Sequence, residues 1–311
     1  METPVPARVG WTDVEYVRGA TRAIAMSENV FGGGLCCEAA SSQLRWVGAL
    51  LEARAANDVR TAMYEAVGNL SSVVAYSAFD IANFAAVDRY FRFALWCAEQ
   101  AGSWALRANT LAEMARKAAY LGELDDALTL IELAQVRDDR LSATARAMLW
   151  TLRARVLALT AAARDIRADI DRADACFADR TPEHDPPWLC YYDEAEHQGS
   201  TGKALIPLAL QTRRPELAAP RIRSAIALHD SHYPRSRVFS RVRLASLLME
   251  VGDPHEAVPI GRQAVADAEA LRSTRITNEL HGLQRAARPH TRDGDVADLV
   301  RDVAAVATAN S

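Results

Sequence analysis

Residues 109–134 read NTLAEMARKAAYLGELDDALTLIELA, in which apolar side chains recur at intervals of three and four residues. This spacing predicts two amphipathic helices, because positions three or four apart share one helix face. Gly122 suits the turn between them, since glycine readily takes the left-handed conformation that ends a helix. Asp125 and Asp126 favour the start of the second helix, where carboxylates meet the positive end of its dipole. The two apolar stripes are Leu111, Met114, Ala115 and Ala118, then Ala127, Ile131 and Ala134.

The same pattern returns in residues 239–264, FSRVRLASLLMEVGDPHEAVPIGRQA. Gly252 stands at the turn, Asp253 can cap the second helix, and Pro254 fits the first helical position. Glu256 completes an acidic variant of the capping box. Small residues in the second stripe permit a close crossing of the two helices. The matching stripes are Leu244, Ala245 and Leu248, then Ala257, Gly261 and Ala264.

Three weaker copies extend this pattern into a repeat. The stripes of the second helices start at residues 87, 127, 166, 218 and 257, so the intervals between them are 40, 39, 52 and 39 residues. A regular internal period is typical of helical repeat proteins. We therefore predict an all-α fold, a right-handed solenoid of antiparallel helix pairs without a sheet. The weaker stripes are Val87, Phe91 and Ala94, then Ile166, Ile170 and Ala173, then Ala218, Ile222 and Ala225.

The repeat divides the chain into three segments. Residues 1–57 are predicted to hold an N-terminal linker and capping helices, and residues 58–270 the repeats. The long interval indicates an insertion near residues 181–194, TPEHDPPWLCYYDE, whose prolines interrupt a helix. Residues 271–311 should form a C-terminal cap, because the last repeat of a solenoid needs a polar outer face. The helices of this cap are expected at residues 273–288 and 295–307.

These residues resemble the tetratricopeptide signature. They share with it the small residues at the helix crossing, an LG-type turn and an alanine that opens the second helix. The resemblance covers roughly residues 60–270, with intervals longer than the usual period of about 34 residues. It implies an array of helix pairs with an extended concave surface.

A narrower resemblance appears in the pieces WTDVEYVRGATRAIAMSENVFGGG, MARKAAYLG, DPPWLCYYDEAE and HYPRSRVF. They look like the C-terminal sensor half of actinobacterial transcriptional regulators that carry a Cro/repressor-type helix-turn-helix domain at the N-terminus. This likeness covers nearly the whole chain and implies a regulatory sensor. No helix-turn-helix motif precedes Trp11, so the DNA binding of that family is not carried over.

Composition and charge argue against several partners. The formal net charge is -4 at pH 7, so we expect no direct binding of nucleic acid, which favours a clustered basic face. No apolar run approaches the roughly 20 residues of a membrane span, and METPVPARVGW lacks the apolar core of a signal peptide. Five cysteines, an odd number, suit a reducing compartment. We therefore expect a cytoplasmic protein without a membrane partner.

Two short motifs suggest ligands but are incomplete. Residues 199–203, GSTGK, lack the first glycine of a phosphate loop because His197 stands there, and Ala204 replaces its hydroxyl residue. His229 and His232 have the spacing of a metal-binding pair, yet no carboxylate or cysteine lies at a matching offset. We interpret the first motif as an irregular or helical surface stretch. The second is interpreted as a solvated helix terminus.

Other catalytic signals are also weak. Cys36 and Cys37 are adjacent, which is not the spacing of a zinc site. The glycine run at residues 32–34 lacks the strand context of a dinucleotide site and is interpreted as a hinge between the first two helices. A G-x-S-x-G elbow is absent from the sequence. We therefore predict that the chain is not an enzyme and uses no cofactor or metal. The titratable candidates for an enzyme alternative are Glu113, Asp193, Glu196 and His197.

A ligand is expected on the first helix of each pair, which lines the concave face of such an array. Asparagine there offers a donor and an acceptor to a peptide backbone, and arginine binds a carboxylate or phosphate. Alternatively, the arginines pair with Glu113, Asp193 or Glu196 and only stabilise the groove, and the aromatics of residues 188–192 form core or a lid. The predicted ligand-binding residues are Asn69, Tyr76, Asn109, Glu113, Arg116, Arg155, Trp188, Tyr192, Asp193 and Glu196. Further inner positions are Ser72, Tyr120, Met148 and Thr151.

The function predicted from these features is a regulatory binding module that holds a peptide, a small effector or a partner protein in its groove. The main alternative is a scaffold that joins proteins and has no small ligand. A pocket with converging arginines favours an effector, whereas an open apolar strip favours a protein partner. One face of the C-terminal cap offers a further role, the contact of a homodimer.

Overall fold

The computed structural model describes residues 4–31, 33–160, 165–229, 233–271 and 273–309. Over these ranges the chain folds into fourteen α-helices joined by short loops and 3-10 turns. The described residues form no strand, and the only pairing of this kind is an isolated bridge between Arg8 and Arg54. The prediction of an all-α fold is confirmed.

The fourteen helices follow one another without other regular structure between them. In chain order they are α1 Trp11–Phe31, α2 Gly33–Ala49, α3 Asn57–Asp80, α4 Phe84–Ala101, α5 Trp104–Leu121, α6 Leu124–Gln135, α7 Ala143–Leu157, α8 Asp165–Ala178, α9 Glu194–Thr212, α10 Ala219–Leu228, α11 Pro234–Val251, α12 Pro254–Ala268, α13 Thr274–Ala287 and α14 Gly294–Ala309. The last two lie where helices of the C-terminal cap were expected. The division into three segments stays a prediction.

Helix contacts repeat along the chain. From α3 to α12, each odd-numbered helix packs against the even-numbered helix that follows it. Each odd-numbered helix from α1 to α11 also contacts the next odd-numbered helix. The odd-numbered helices therefore form one continuous series, and residues on their shared side come from distant parts of the sequence.

Small side chains make these pairs possible. Every residue of the five stripes predicted for the second helices is buried in the structure. Gly68 of α3 shows how close the helices approach: a Cβ atom there would lie 2.7 Å from Cβ of Cys97 and 2.7 Å from Cδ2 of Leu106. These distances are shorter than any normal contact between carbon atoms. The sequence pattern thus corresponds to the packed core.

Helix ends follow the predicted capping in most places. Gly122 has a φ of 83°, the left-handed conformation expected between α5 and α6. Asp253 accepts a hydrogen bond from the backbone N–H of His255 at 2.9 Å, and Pro254 begins α12. The carboxylate of Glu256 pairs with Arg223 of α10, so its predicted part in a capping box is wrong. The long side chain of Arg223 competes successfully with the backbone for this exposed carboxylate.

The predicted insertion breaks the helical series between α8 and α9. It forms two 3-10 turns, Pro182–His184 and Pro187–Tyr191. The hydroxyl of Thr144 donates to the carboxylate of Asp185 at 2.6 Å, which ties the insertion to α7. Asp193 then caps α9 by accepting a hydrogen bond from the N–H of Glu196 at 2.9 Å. Tyr191 and Tyr192 of the insertion pack in one apolar cluster with residues of α5 and α7, as the alternative in which these aromatics form core expects.

The two ends of the series meet. Arg235 of α11 is buried and pairs with Glu28 of α1 and Asp80 of α3. The amide of Asn278 on α13 donates to the hydroxyl of Tyr120 on α5 at 2.6 Å. Residues 207 positions apart thus touch, a contact that no local sequence pattern predicts. The shared side of the odd-numbered helices is bounded by these closing contacts.

Candidate functional site

Charged side chains from five odd-numbered helices converge on the shared side of the series. Four are cations and three are carboxylates, and the set is accompanied by a buried asparagine and two tyrosines. We call these residues the inner cluster. It consists of Tyr76 of α3, Asn109, Glu113 and Arg116 of α5, Arg155 of α7, Tyr191 of the insertion, Glu196 and Lys203 of α9, Arg243 of α11 and Glu279 of α13.

One carboxylate of the inner cluster serves two cations. Oε1 of Glu279 accepts from Nη2 of Arg243 at 2.9 Å and from Nε at 3.1 Å, and Nζ of Lys203 lies 3.5 Å away. Burial raises the pKa of Glu279, but Arg243 and Lys203 outweigh it and lower this pKa to about 2. Burial, followed by the charge of Arg243, lowers the pKa of Lys203 well below its ordinary value. One carboxylate does not neutralise both cations.

Arg116 is matched by its own neighbours. It forms an ion pair with Glu113 one turn earlier on α5, and Nη1 lies 3.5 Å from the hydroxyl of Tyr191. Burial lowers the pKa of Arg116, but Glu113 and then Tyr191 raise it well above its ordinary value. Burial raises the pKa of Tyr191 to about 12. The alternative expectation, in which this arginine pairs with Glu113, describes the structure correctly.

Arg155 lacks such a match. The half-buried guanidinium forms no ion pair or hydrogen bond with any residue in the described ranges. Burial, and then the positive charges of Arg116 and Arg243, lower the pKa of Arg155 to about 10. Glu196 opposes this effect, yet its carboxylate accepts a hydrogen bond from Ser200 at 2.6 Å. Arg155 is thus a cation held among other cations.

Two acceptors on α5 are unsatisfied. Oδ1 of Asn109 and Oε2 of Glu113 are buried and have no hydrogen-bond partner among the described residues. The two side chains are 8% and 7% exposed. Their positions are four residues apart, so they lie on the same face of α5. A buried acceptor without a donor costs about 1–3 kcal/mol, so this face is suited to a ligand that supplies N–H groups.

Aromatic rings separate the inner cluster from the closing contacts. The guanidinium of Arg275 lies 5.0 Å from the ring centre of Tyr76, 5.0 Å from that of Phe79 and 5.4 Å from that of Phe239. Arg243 lies 4.9 Å from the ring of Phe239. Such rings attract cations and exclude water from one side of them. They hold the arginines without neutralising their charge.

The charges behind these rings are balanced. Glu28, Asp80, Arg235 and Arg275 form what we call the closing ion cluster, in which two carboxylates meet two guanidinium groups. Ser273 donates a further hydrogen bond to Asp80 at 2.8 Å. Burial raises the pKa of Glu28, and Arg235 opposes this effect. Because its charges match, the closing ion cluster suits a structural role better than ligand binding.

Six of the ten predicted site residues belong to the inner cluster. The four others lie elsewhere. Tyr192 is buried, with its hydroxyl bonded to Oγ1 of Thr151 at 2.6 Å and lying 3.1 Å from Nδ1 of His197. Asp193 is exposed as the cap of α9, whereas Trp188 and Asn69 are half-buried. The six are Tyr76, Asn109, Glu113, Arg116, Arg155 and Glu196.

Two corrections follow from burial in the core. The prediction that Tyr192 contacts a ligand is wrong, because the ring is internal and its hydroxyl is occupied. Met148 and Thr151 are 1% exposed, so their assignment to a ligand-facing surface is also wrong. Both share the face of α7 that carries Arg155, since they precede it by seven and four residues, but packed neighbours cover them. Arg155 is the member of this face that reaches the inner cluster.

Sequence reasoning missed four members of the inner cluster, Tyr191, Lys203, Arg243 and Glu279. Arg243 could have been found, because the alignment that matches Leu244 with Met114 places it opposite Glu113. Tyr191 adjoins the predicted Tyr192, and no pattern distinguishes the two. Lys203 was examined only as part of a phosphate loop.

The two incomplete motifs prove to be internal. Residues 199–203 are helical within α9, and the prediction that they lie at the surface is wrong, since four of the five are buried. A Cβ atom on Gly202 would lie 2.8 Å from Cγ1 of Ile222, so small residues let α10 approach. His229 is buried, which contradicts a solvated terminus. His232, Gly32 and the side chain of Cys36 fall outside the described residues.

A separate polar chain contains the histidine of the enzyme alternative. Nε2 of His197 lies 2.7 Å from Oδ1 of Asp174, and the ring stacks on Phe177 with centres 4.2 Å apart. Burial lowers the pKa of His197, and Asp174 opposes this effect. A cleft of about 430 Å³ opens beside these residues. Both ring nitrogens have protein partners, so the imidazole supports the packing of the insertion.

A comparison with protein-family models gives no match, and a comparison with curated proteins gives none either. Across the described part of the chain, no helix is long and apolar enough to cross a membrane. The same ranges contain no group of three His, Cys, Asp or Glu residues placed to hold a metal ion. The site is therefore interpreted from its own geometry.

Proposed function

We propose that this chain is a regulatory binding module that holds a small effector or short peptide in the inner cluster. The observation that carries this proposal is Arg155, a half-buried cation that forms no ion pair within the described ranges, in a cluster with two buried acceptors that have no donor there. An unpaired buried charge and a buried acceptor without a donor each lower the free energy of unfolding. A ligand that satisfies them recovers this cost, whereas a purely structural core gains nothing from it.

The architecture that fits this role is a right-handed solenoid of tetratricopeptide type. The repeated helix pairs, the series of odd-numbered helices and the left-handed Gly122 support it. In such an array the first helices line the concave side, which is where the inner cluster lies. The closing contacts limit access from one edge, which favours a small ligand over a folded protein.

Binding is preferred to catalysis for a chemical reason. The titratable groups of the inner cluster include the ion-paired carboxylates of Glu113 and Glu279, several cations, and Tyr191, whose pKa is raised by burial. His197, the natural general base, is engaged at both nitrogens. Free Cys97 is buried, and burial raises its pKa to about 12, which makes it a poor nucleophile. A free thiol of low reactivity fits a cytoplasmic protein that regulates through a partner.

Native mass spectrometry of the tagged chain, isolated gently from its source cells, tests this proposal. We expect a stoichiometric small mass on the wild-type protein and its loss in Arg155→Ala. Arg60→Ala, which removes an exposed arginine of α3, is the matched control and should retain the mass. A co-purifying protein without a small molecule would contradict the proposal and favour the scaffold. The same spectrum reports whether the chain is a homodimer.

A further inference from the structure

The charge of the inner cluster limits what its ligand can be. With Lys203 protonated, four cations face three carboxylates, so the cluster carries one positive charge in excess. The excess falls near Arg155 and Lys203, because Arg116 is paired with Glu113 and Arg243 takes the shorter contacts to Glu279. One anionic group placed between α7 and α9 would neutralise it. A dianion would reverse the excess.

The acceptors on α5 add a second requirement. Asn109 and Glu113 each present a buried oxygen that accepts no hydrogen bond from the described part of the chain, and an anion would repel both. Only a group with N–H or O–H hydrogens satisfies them. Since the charge of Glu113 is already matched by Arg116, a neutral amide N–H suffices. The ligand must therefore combine an anion with a neutral donor.

We propose that the inner cluster binds a small monoanion that carries an amide N–H, with its acidic group at Arg155 and Lys203 and its amide at Asn109 and Glu113. This inference rests on the proposed function. The chemistry is that of an N-acylated amino acid or of the end of a short peptide. A carboxylate and a monoanionic phosphate can both pair with these cations. The inference therefore specifies the charge of the acidic group and not its chemical identity.

A set of four small probes separates these requirements. N-acetylglycine has a carboxylate and an amide, acetate has only the carboxylate, N-methylacetamide has only the amide, and inorganic phosphate supplies the other anion. Affinities would be measured by saturation-transfer NMR at constant ionic strength. We expect N-acetylglycine to bind about tenfold more tightly than acetate, and acetate more tightly than N-methylacetamide, because charge-assisted hydrogen bonds are the stronger ones. If phosphate binds with the same affinity as acetate, the site selects the acidic group by its charge alone.

Two variants assign the two halves of the ligand. Arg155→Met should weaken N-acetylglycine by about tenfold or more, since it removes the cation that meets the acidic group. Asn109→Leu, which is similar in volume, should reduce N-acetylglycine to the affinity of acetate and leave acetate unchanged. Arg60→Met is the control and should change neither. Circular dichroism checks that each variant folds. If one variant does not fold, the other still tests the part of the ligand that it contacts, the acidic group for Arg155→Met and the amide for Asn109→Leu.

Failure of this inference differs from failure of the proposed function. If wild-type protein binds none of the four probes, or if Arg155→Met leaves N-acetylglycine binding unchanged, the inference is overturned. A small molecule retained in native mass spectrometry that lacks an acidic group also overturns it, while the proposed function stands. The proposed function fails when no small molecule is retained and the protein co-purifies with a protein partner instead.

Discussion

Replacing Arg155 by methionine should make the ligand-free protein more stable. Burial and neighbouring cations lower the pKa of Arg155 from an ordinary value above about 12 to about 10. Each pKa unit corresponds to about 1.4 kcal/mol, so the charged guanidinium is disfavoured by at most about 3 kcal/mol. Methionine retains a flexible stem that can fill the space. Because water relieves part of the penalty at a half-buried site, we expect a gain of about 1–2 kcal/mol.

The sign of this effect follows from linkage. Below about pH 10 the guanidinium is charged in both the folded and the unfolded chain, so the whole penalty is present at neutral pH. It disappears only as the pH rises above the ordinary pKa. Measurements near pH 7 therefore report the full difference between Arg155 and methionine.

A matched variant distinguishes this effect from a general benefit of apolar residues. Arg243→Met removes a guanidinium that makes two hydrogen bonds to Glu279. It leaves that carboxylate with only the longer contact to Lys203, so we expect a loss of about 1–3 kcal/mol. Both substitutions exchange arginine for methionine in the same cluster, and only the pairing differs.

Urea unfolding followed by circular dichroism measures both free energies of unfolding, provided that the m-values agree. The expected result is a higher midpoint for Arg155→Met and a lower one for Arg243→Met. If Arg155→Met loses as much stability as Arg243→Met, the guanidinium has an internal counter-ion and the reasoning about an absent ligand is refuted.

Three further predictions address pH, the closing contacts and helix packing. N-acetylglycine should bind less tightly as the pH rises towards the ordinary pKa of lysine, because burial lowers the pKa of Lys203 and a bound anion raises it again. Titrations of Lys203→Met should lose this dependence. Arg235→Met should cost about 3–5 kcal/mol in urea unfolding, since it removes an ion pair from each of two buried carboxylates. Glu28→Gln should cost less because the arginine keeps its other partner, and equal losses would contradict this. Gly68→Ala should lower stability by about 1–3 kcal/mol through overpacking. Thermal unfolding of Gly48→Ala, whose added Cβ meets no atom within 4 Å, should show no loss.

Features governed by local spacing could be predicted from the sequence. The stripe of Ala127, Ile131 and Ala134 is fully buried, and Gly122 ends its helix in the left-handed conformation. Both depend on residues within a few positions of each other, so periodicity and capping rules suffice. Pro254 at the start of α12 belongs to the same class. The helical architecture follows from such local agreement.

Features that depend on long-range packing could not be predicted in this way. Arg235 meets Glu28 only because α11 packs against α1, which is far away in the sequence. A one-residue error in the phase of α9 would likewise move Lys203 from the inner cluster to another face. The buried aromatics show the same limit, since Tyr191 and Tyr192 are neighbours with opposite surroundings. Tertiary packing decides between them.

The contrast between two sets of buried charges separates structure from function in this protein. Arg235 is fully buried and matched by two carboxylates, as expected of a charge retained to fix the packing of distant helices. Arg155 is half-buried, forms no ion pair with any described residue, and lies near Arg116 and Arg243, whose charges outweigh that of Glu196. A chain under pressure for stability alone would gain by replacing Arg155 and not by replacing Arg235. Proteins tend to break local rules, at a cost in stability, where function requires it, and this supports our proposal that a ligand binds on the side of the fold that carries Arg155.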